Sequence, residues 1–229
     1  MNQFIEAIQS LDYDLVKQKI QENPKWIEWS EKTGKNALHY LCGVGVADQV
    51  NKEETSLKIA KLLLKKGADI NSIHRIVEKN GYFPGTPVWY AYTRARNRKL
   101  YRYLLKHGGN PDHCMFAIAW NDDVKSAELF KKHGAEINGA PFLAAYYWKK
   151  FKIAKWFLKN GADVNYIGTE GFSALLLAVK RKDPLDKIGW LLKSGADINK
   201  ENKHGLSPKN LAEKNKQNTI LKLFYSYSC

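Results

Sequence analysis

The chain has 229 residues, 44% of them hydrophobic and 26% charged; that is enough apolar material for a sizeable core and excludes a disordered chain. Lys and Arg number 37 against 23 Asp and Glu, a formal charge of +14, which favours acidic partners: acidic protein, nucleic acid or anionic lipid. The same balance follows from a composition rich in Lys, Asn and Ile, as AT-rich genomes tend to encode, and both readings stay open.

The cysteines Cys42, Cys114 and Cys229 are odd in number and far apart, so no disulfide framework is expected and a reducing compartment is indicated. The start, Met1 to Glu6, has no basic stretch followed by an apolar run, so no secretory signal is expected. The longest apolar run, Ala174 to Val179, is too short to cross a bilayer.

Taken in chain order, the elements pair into helical hairpins. Residues 2–31 form a first unit, with Asn23-Pro24-Lys25-Trp26-Ile27 where later units carry a glycine phrase. Asn36 to Leu41 then starts a helix, Gly45–Glu54 is an insertion, and Ile59 to Leu64 is apolar at i, i+3 and i+4, one face of a second helix. Gly67-Ala68-Asp69-Ile70-Asn71 closes it, the glycine lying where a helix end needs a left-handed residue. Residues Ile73–Gly85 are a second insertion. The pattern then repeats, with first helices opened by Thr86-Pro87, Pro141, Ser173 and Ser207-Pro208, which suit a helix N-cap or first turn. Second helices over Leu100–Leu105, Ile153–Leu158 and Ile188–Leu192 end at Gly108, Gly161 and Gly195, and a poorer one around Ala127, Leu129 and Phe130 ends at Gly134.

Helix, turn, helix and then Gly-Ala-Asp-Val-Asn resembles the ankyrin repeat, and the likeness covers nearly the whole chain. The resemblance implies an all-α fold, an ankyrin-repeat solenoid of stacked helix-turn-helix units with short β-hairpin or loop fingers. One domain over 1–229 is expected: an N-terminal cap unit 2–31, repeats near 32–71, 72–112, 113–138, 139–165 and 166–199, and a C-terminal cap unit 200–229. The two central units fall short of the ordinary length of about 33 residues, which implies clipped fingers between Asn110 and Cys114 and between Asn138 and Pro141. Long insertions are where function often sits and are also simply tolerated; both readings stay open for 45–54 and 73–85.

Catalytic chemistry is not expected. No Gly-rich phosphate loop, zinc pattern or Gly-x-Ser-x-Gly elbow is present. His39 stands where the family has a structural histidine bonded to backbone. His107 and His133 precede helix-ending glycines, His113 and Cys114 are adjacent and would point apart, and Cys42 and Cys114 read as small core residues. Asp69, Asp163 and Asp197 recur with the turn, and Asn71, Asn138, Asn165 and Asn199 read as turn residues bonding nearby backbone. No cofactor, metal or small-molecule substrate is expected.

Binding is expected on the concave face that the resemblance implies. The positions after each first helix are Gly43 and Val44, Thr93 and Arg94, Trp120 and Asn121, Tyr147 and Trp148, Lys180 and Arg181, Lys214 and Asn215. Their centre is aromatic and their flanks basic, and Trp, Tyr and Arg dominate binding hot spots. We expect a groove with an aromatic floor of Trp120, Tyr147 and Trp148 and basic walls of Arg94, Arg96, Arg98, Lys149, Lys180 and Arg181, with Asn121 also at the binding surface, taking an acidic, partly hydrophobic protein segment; the alternative packs these aromatics against neighbouring repeats. The second functional reading is nucleic acid or anionic membrane bound by the basic surface, and an enzyme ranks last. A monomer is expected, cytoplasmic or secreted without a classical signal into a host cell. Such a protein is similar to effectors that intracellular bacteria deliver and to poxviral host-range proteins, although no F-box-like segment stands at either end.

Overall fold

A computed structural model describes residues 3–47 and 49–227; Asp48 of the first insertion and Cys229 lie outside the described residues. The chain divides into two compact units, residues 1–114 with 130–135, and residues 115–129 with 136–229.

The first unit contains helices α1 (Gln3–Gln9), α2 (Tyr13–Glu22), α3 (Ala37–Cys42) and α4 (Val50–Lys65), then strands β1 (His74–Glu78) and β2 (Gly81–Gly85), then α5 (Pro87–Thr93) and α6 (Arg98–Lys106). Consecutive helices pair into hairpins whose apolar faces close on Leu38, Leu41, Ile59 and Leu63, all fully buried; each such side chain contributes roughly 1.5–3 kcal/mol. Phe130 completes this core, its ring 5.5 Å from Tyr92 and 5.7 Å from Tyr101.

In the second unit lie α7 (Met115–Trp120), the first part of α8 (Val124–Lys132), α9 (Gly139–Tyr147), α10 (Phe151–Lys159), α11 (Ala174–Arg181), α12 (Leu185–Lys193), α13 (Pro208–Lys214) and α14 (Asn218–Tyr225). Its core holds Phe142, Phe157 and the almost continuously buried stretch Ala174 to Val179. Caps set the helix starts: the side chains of Asn36, Thr86, Ser173 and Ser207 each accept from the third residue of the helix that follows.

Both insertions are ordered differently from a loop. Residues 50–54 belong to α4, which reaches 16 residues, so half of the first insertion lengthens a helix. The second insertion is an antiparallel hairpin in register from His74 opposite Gly85 to Glu78 opposite Gly81. Three other fingers are short turns, with Glu31 N–H donating to the Lys35 carbonyl, Gly168 N–H to Phe172 and Asn202 N–H to Leu206. The central fingers are clipped: Asn138 ends its phrase and at once caps α9, which begins at Gly139 rather than at Pro141. A Cβ at Gly139 would lie 2.2 Å from the Tyr166 Cβ, so only glycine lets that loop approach so closely.

The recurring asparagine is not only a turn residue. Asn71 donates to the Gly108 carbonyl at 3.0 Å and accepts from the Asn110 amide at 2.7 Å. Asn165 does the same with Gly195 at 3.0 Å and Asp197 at 2.8 Å. Each therefore ties the end of one repeat to the end of the next, while the neighbouring aspartates (Asp69, Asp163, Asp197) bond locally, accepting from the amide two residues on.

Candidate functional site

An open groove of about 780 Å³ crosses the first helices of the second unit. Its apolar side is built at helical spacing: Leu143 stands one turn before Tyr147 on α9, and Leu177 one turn before Arg181 on α11. Phe116 from α7 and Tyr166 and Phe172 from the finger turn complete it.

Of the predicted floor, Tyr147 and Trp148 line this groove, whereas Trp120 and Asn121 do not; Trp120 touches it only through Trp148. Trp120, the last residue of α7, is 57% exposed, and Tyr147, the last of α9, is 52% exposed, far above what packing between repeats would leave. Trp148 is half-buried, its ring edge-on to Trp120 with centres 5.0 Å apart. Asn121 follows Trp120 and is exposed.

Two predicted cations are parked on the groove's rings. The Arg181 guanidinium lies 4.5 Å from the centre of the Tyr147 ring and donates to the Tyr147 carbonyl at 3.1 Å. Lys180 Nζ lies 4.2 Å from the Phe172 ring centre. Cation–π contact holds both charges in place without neutralising them. Glu170 is the acidic residue of the lining.

The other predicted wall residues lie elsewhere. Lys149 has φ +59° in the turn after α9, where Lys150 N–H returns to the Ala145 carbonyl, and it does not line the groove. Arg96, with φ +51°, stands one residue further past α5, and Asn97 N–H returns six residues back to Ala91. Leu11, Asp122, Lys182 and Lys216 repeat the five-residue return seen at Lys149. The bond that closes a helix end with a left-handed residue turns that residue's side chain out at the hairpin bend. The positions immediately after each first helix thus serve the groove only as far as the helix itself reaches. Arg94 caps α5, its guanidinium 5.6 Å from the Trp89 ring, and lines a smaller depression of the first unit with Tyr40 and Tyr90. Arg96 and Arg98 line a different depression with Lys99 and Arg102. Sequence reasoning missed Phe116, Leu143, Tyr166 and Phe172; stepping back four residues from Trp120 and Tyr147 would have found the first two.

The buried titratable groups are held by the packing around them. His39 is fully buried; its Nε2–H donates to the Gly85 carbonyl at 3.0 Å, and burial, aided by the nearby His74 and Lys35, pushes its pKa down to about 4. Burial raises the Cys42 and Cys114 thiols well above the ordinary range, which leaves both unreactive. Burial and a hydrogen bond to Asp183 raise the Tyr146 hydroxyl likewise. Among the described residues no group of three or more His, Cys, Asp or Glu could hold a metal ion, and no helix is long and apolar enough to cross a membrane.

The model of the ankyrin repeat matches residues 33–75 and 170–203. Among solved structures, the human ASB11 ankyrin repeat domain is similar at 19% identity and a TM-score of 0.66, over 92% of this chain and 91% of that one. The ankyrin repeat domain of Bcl-3, described as a unique member of the IkappaB protein family, is similar at 19% identity and a TM-score of 0.66, over 91% of this chain and 92% of that one. Curated protein sequences yield no match.

Proposed function

We propose that this chain, which carries two matched ankyrin repeats on an ankyrin-repeat fold, acts as such domains in general do, as a protein–protein interaction module, and that the groove of its second unit binds an acidic, partly hydrophobic segment of another protein. The observation that carries this reading is the pairing of Arg181 with Tyr147 and of Lys180 with Phe172 on an open apolar floor. A guest carboxylate would meet cations already held at fixed positions, and a guest apolar side chain would cover exposed rings, so both gains come at little ordering cost. The reading takes the chain as a monomer without catalytic activity. Its likeness to delivered effectors makes host cytosolic extracts the place to look for the partner.

Trp148 packs on Trp120, so truncating it also disturbs the floor. Tyr147→Ala and Arg181→Glu are the cleaner probes. Partners captured by the native chain are expected to be lost from both variants, to carry the bound segment in an acidic stretch, and to leave the circular dichroism of the variants unchanged. An identical set of partners on all three proteins would end the proposal.

A further inference from the structure

The first unit holds a second depression, of about 790 Å³, between the start of α4 and the start of α6. It is lined by Arg96, Arg98, Lys99 and Arg102 with Ala47 and Glu53. Arg98 and Arg102 are one helical turn apart on α6 and share a face, while the left-handed backbone at Arg96, φ +51°, brings a third guanidinium out at the adjoining bend. Lys99 is already engaged with Glu54 at 2.9 Å. Among the described residues the three arginines form no ion pair. Asp48, next in sequence to Ala47, lies outside the described residues. Among the described lining residues, three arginines stand against Glu53, an excess of positive charge at this surface.

We propose that this depression is a binding site for a phosphate monoester, on a small soluble molecule or on a lipid headgroup. Guanidinium forks match both carboxylates and phosphates. A carboxylate has only two oxygens, in one plane, and a phosphodiester has only two that are free. A phosphate monoester presents three terminal oxygens and about two negative charges, so it can address three arginines at once and balance the excess over Glu53. The site is separate from the groove of the second unit and does not depend on it.

The test is titration calorimetry of the full chain with glycerol 3-phosphate, a soluble phosphate monoester, and co-sedimentation with phosphatidylcholine vesicles with and without phosphatidylinositol monophosphate. Arg98→Gln/Arg102→Gln removes two of the three forks at exposed positions, and Lys131→Gln/Lys132→Gln removes the same charge elsewhere. The arginine variant is expected to weaken binding roughly tenfold or more and the lysine variant little. Binding of glycerol 3-phosphate assigns a soluble ligand; binding of the phosphorylated vesicles alone assigns a headgroup. Equal weakening by both variants, binding of neither probe, or tighter binding of a phosphoserine peptide than of either would overturn the assignment.

Discussion

His39 has no exposed surface and a pKa near 4, whereas an unfolded histidine titrates near 6.5. Between those values the unfolded chain holds the additional proton, so its contribution to stability is complete above about pH 6.5 and is lost as the pH falls through about 4. The difference amounts to roughly 3 kcal/mol. Urea unfolding followed at pH 7 and near pH 4.5 should show this loss, and His39→Gln should be weaker at pH 7 yet flatter with pH; an unchanged pH slope in the variant would remove the assignment. His74, lowered in the same direction by burial and stacked on Tyr90, adds to the same trend. The asparagines offer a sharper contrast. Asn165 bridges two backbone groups of the next phrase, whereas the Asn199 side chain has no such bridge. Asn165→Ala should therefore cost about 1–2 kcal/mol and Asn199→Ala close to nothing, measured by thermal or chemical denaturation.

At the scale of the element, the bend between paired helices repeats one backbone solution. A left-handed residue follows the first helix, and the next amide returns to a carbonyl five residues back, as Asp183 does to Ala178 after Lys182 at φ +54°. A side chain at that position strains the backbone, so Lys182→Gly should raise stability by up to about 1 kcal/mol, checked by the midpoint of denaturation. The opposite holds at Gly139, where any Cβ collides with Tyr166. Gly139→Ala should cost about 1–3 kcal/mol by overpacking and should also disturb the finger turn that supplies Tyr166 and Phe172 to the groove. A stability equal to that of the native chain would show that the loop gives way freely.

For the whole molecule, the charge of +14 is the dominant electrostatic fact. The ion pairs of Lys19, Lys99 and Lys187 engage few of the chain's 37 Lys and Arg, so self-repulsion among surface cations opposes folding. Raising ionic strength from about 0.01 M to about 0.15 M shortens the screening length from about 30 Å to about 8 Å. The melting temperature should rise over that range while affinity for an acidic partner falls; a falling melting temperature would mean that attractive pairs outweigh the repulsion. Much of the fold was legible beforehand because every repeat must solve the same local problem. Gly67, Gly108, Gly134, Gly161 and Gly195 all adopt positive φ where their helices end, and Thr86, Ser173 and Ser207 cap where they stand. These are interactions between residues a few positions apart, and spacing reveals them.

The candidate site was legible only in part, for the complementary reason. Tyr147, Trp148, Lys180 and Arg181 do line one groove, because their positions along α9 and α11 follow directly from helix periodicity. Arg94, Arg96, Arg98, Trp120, Asn121 and Lys149 do not: Arg94, Arg96 and Arg98 line depressions of the first unit, and the direction of a side chain past a helix end, as at Lys149, depends on how the bend closes. The parking of Arg181 on Tyr147, the bridge from Asn165 to Gly195 and the folding of 73–85 into a paired hairpin are likewise products of chain segments meeting in space. The sequence by itself determined the repeat, its caps and its helix faces, since those depend on neighbours along the chain. Which side chains share a surface was decided by the tertiary structure alone, since contacts between residues about 30 positions apart exist only once the hairpins have stacked.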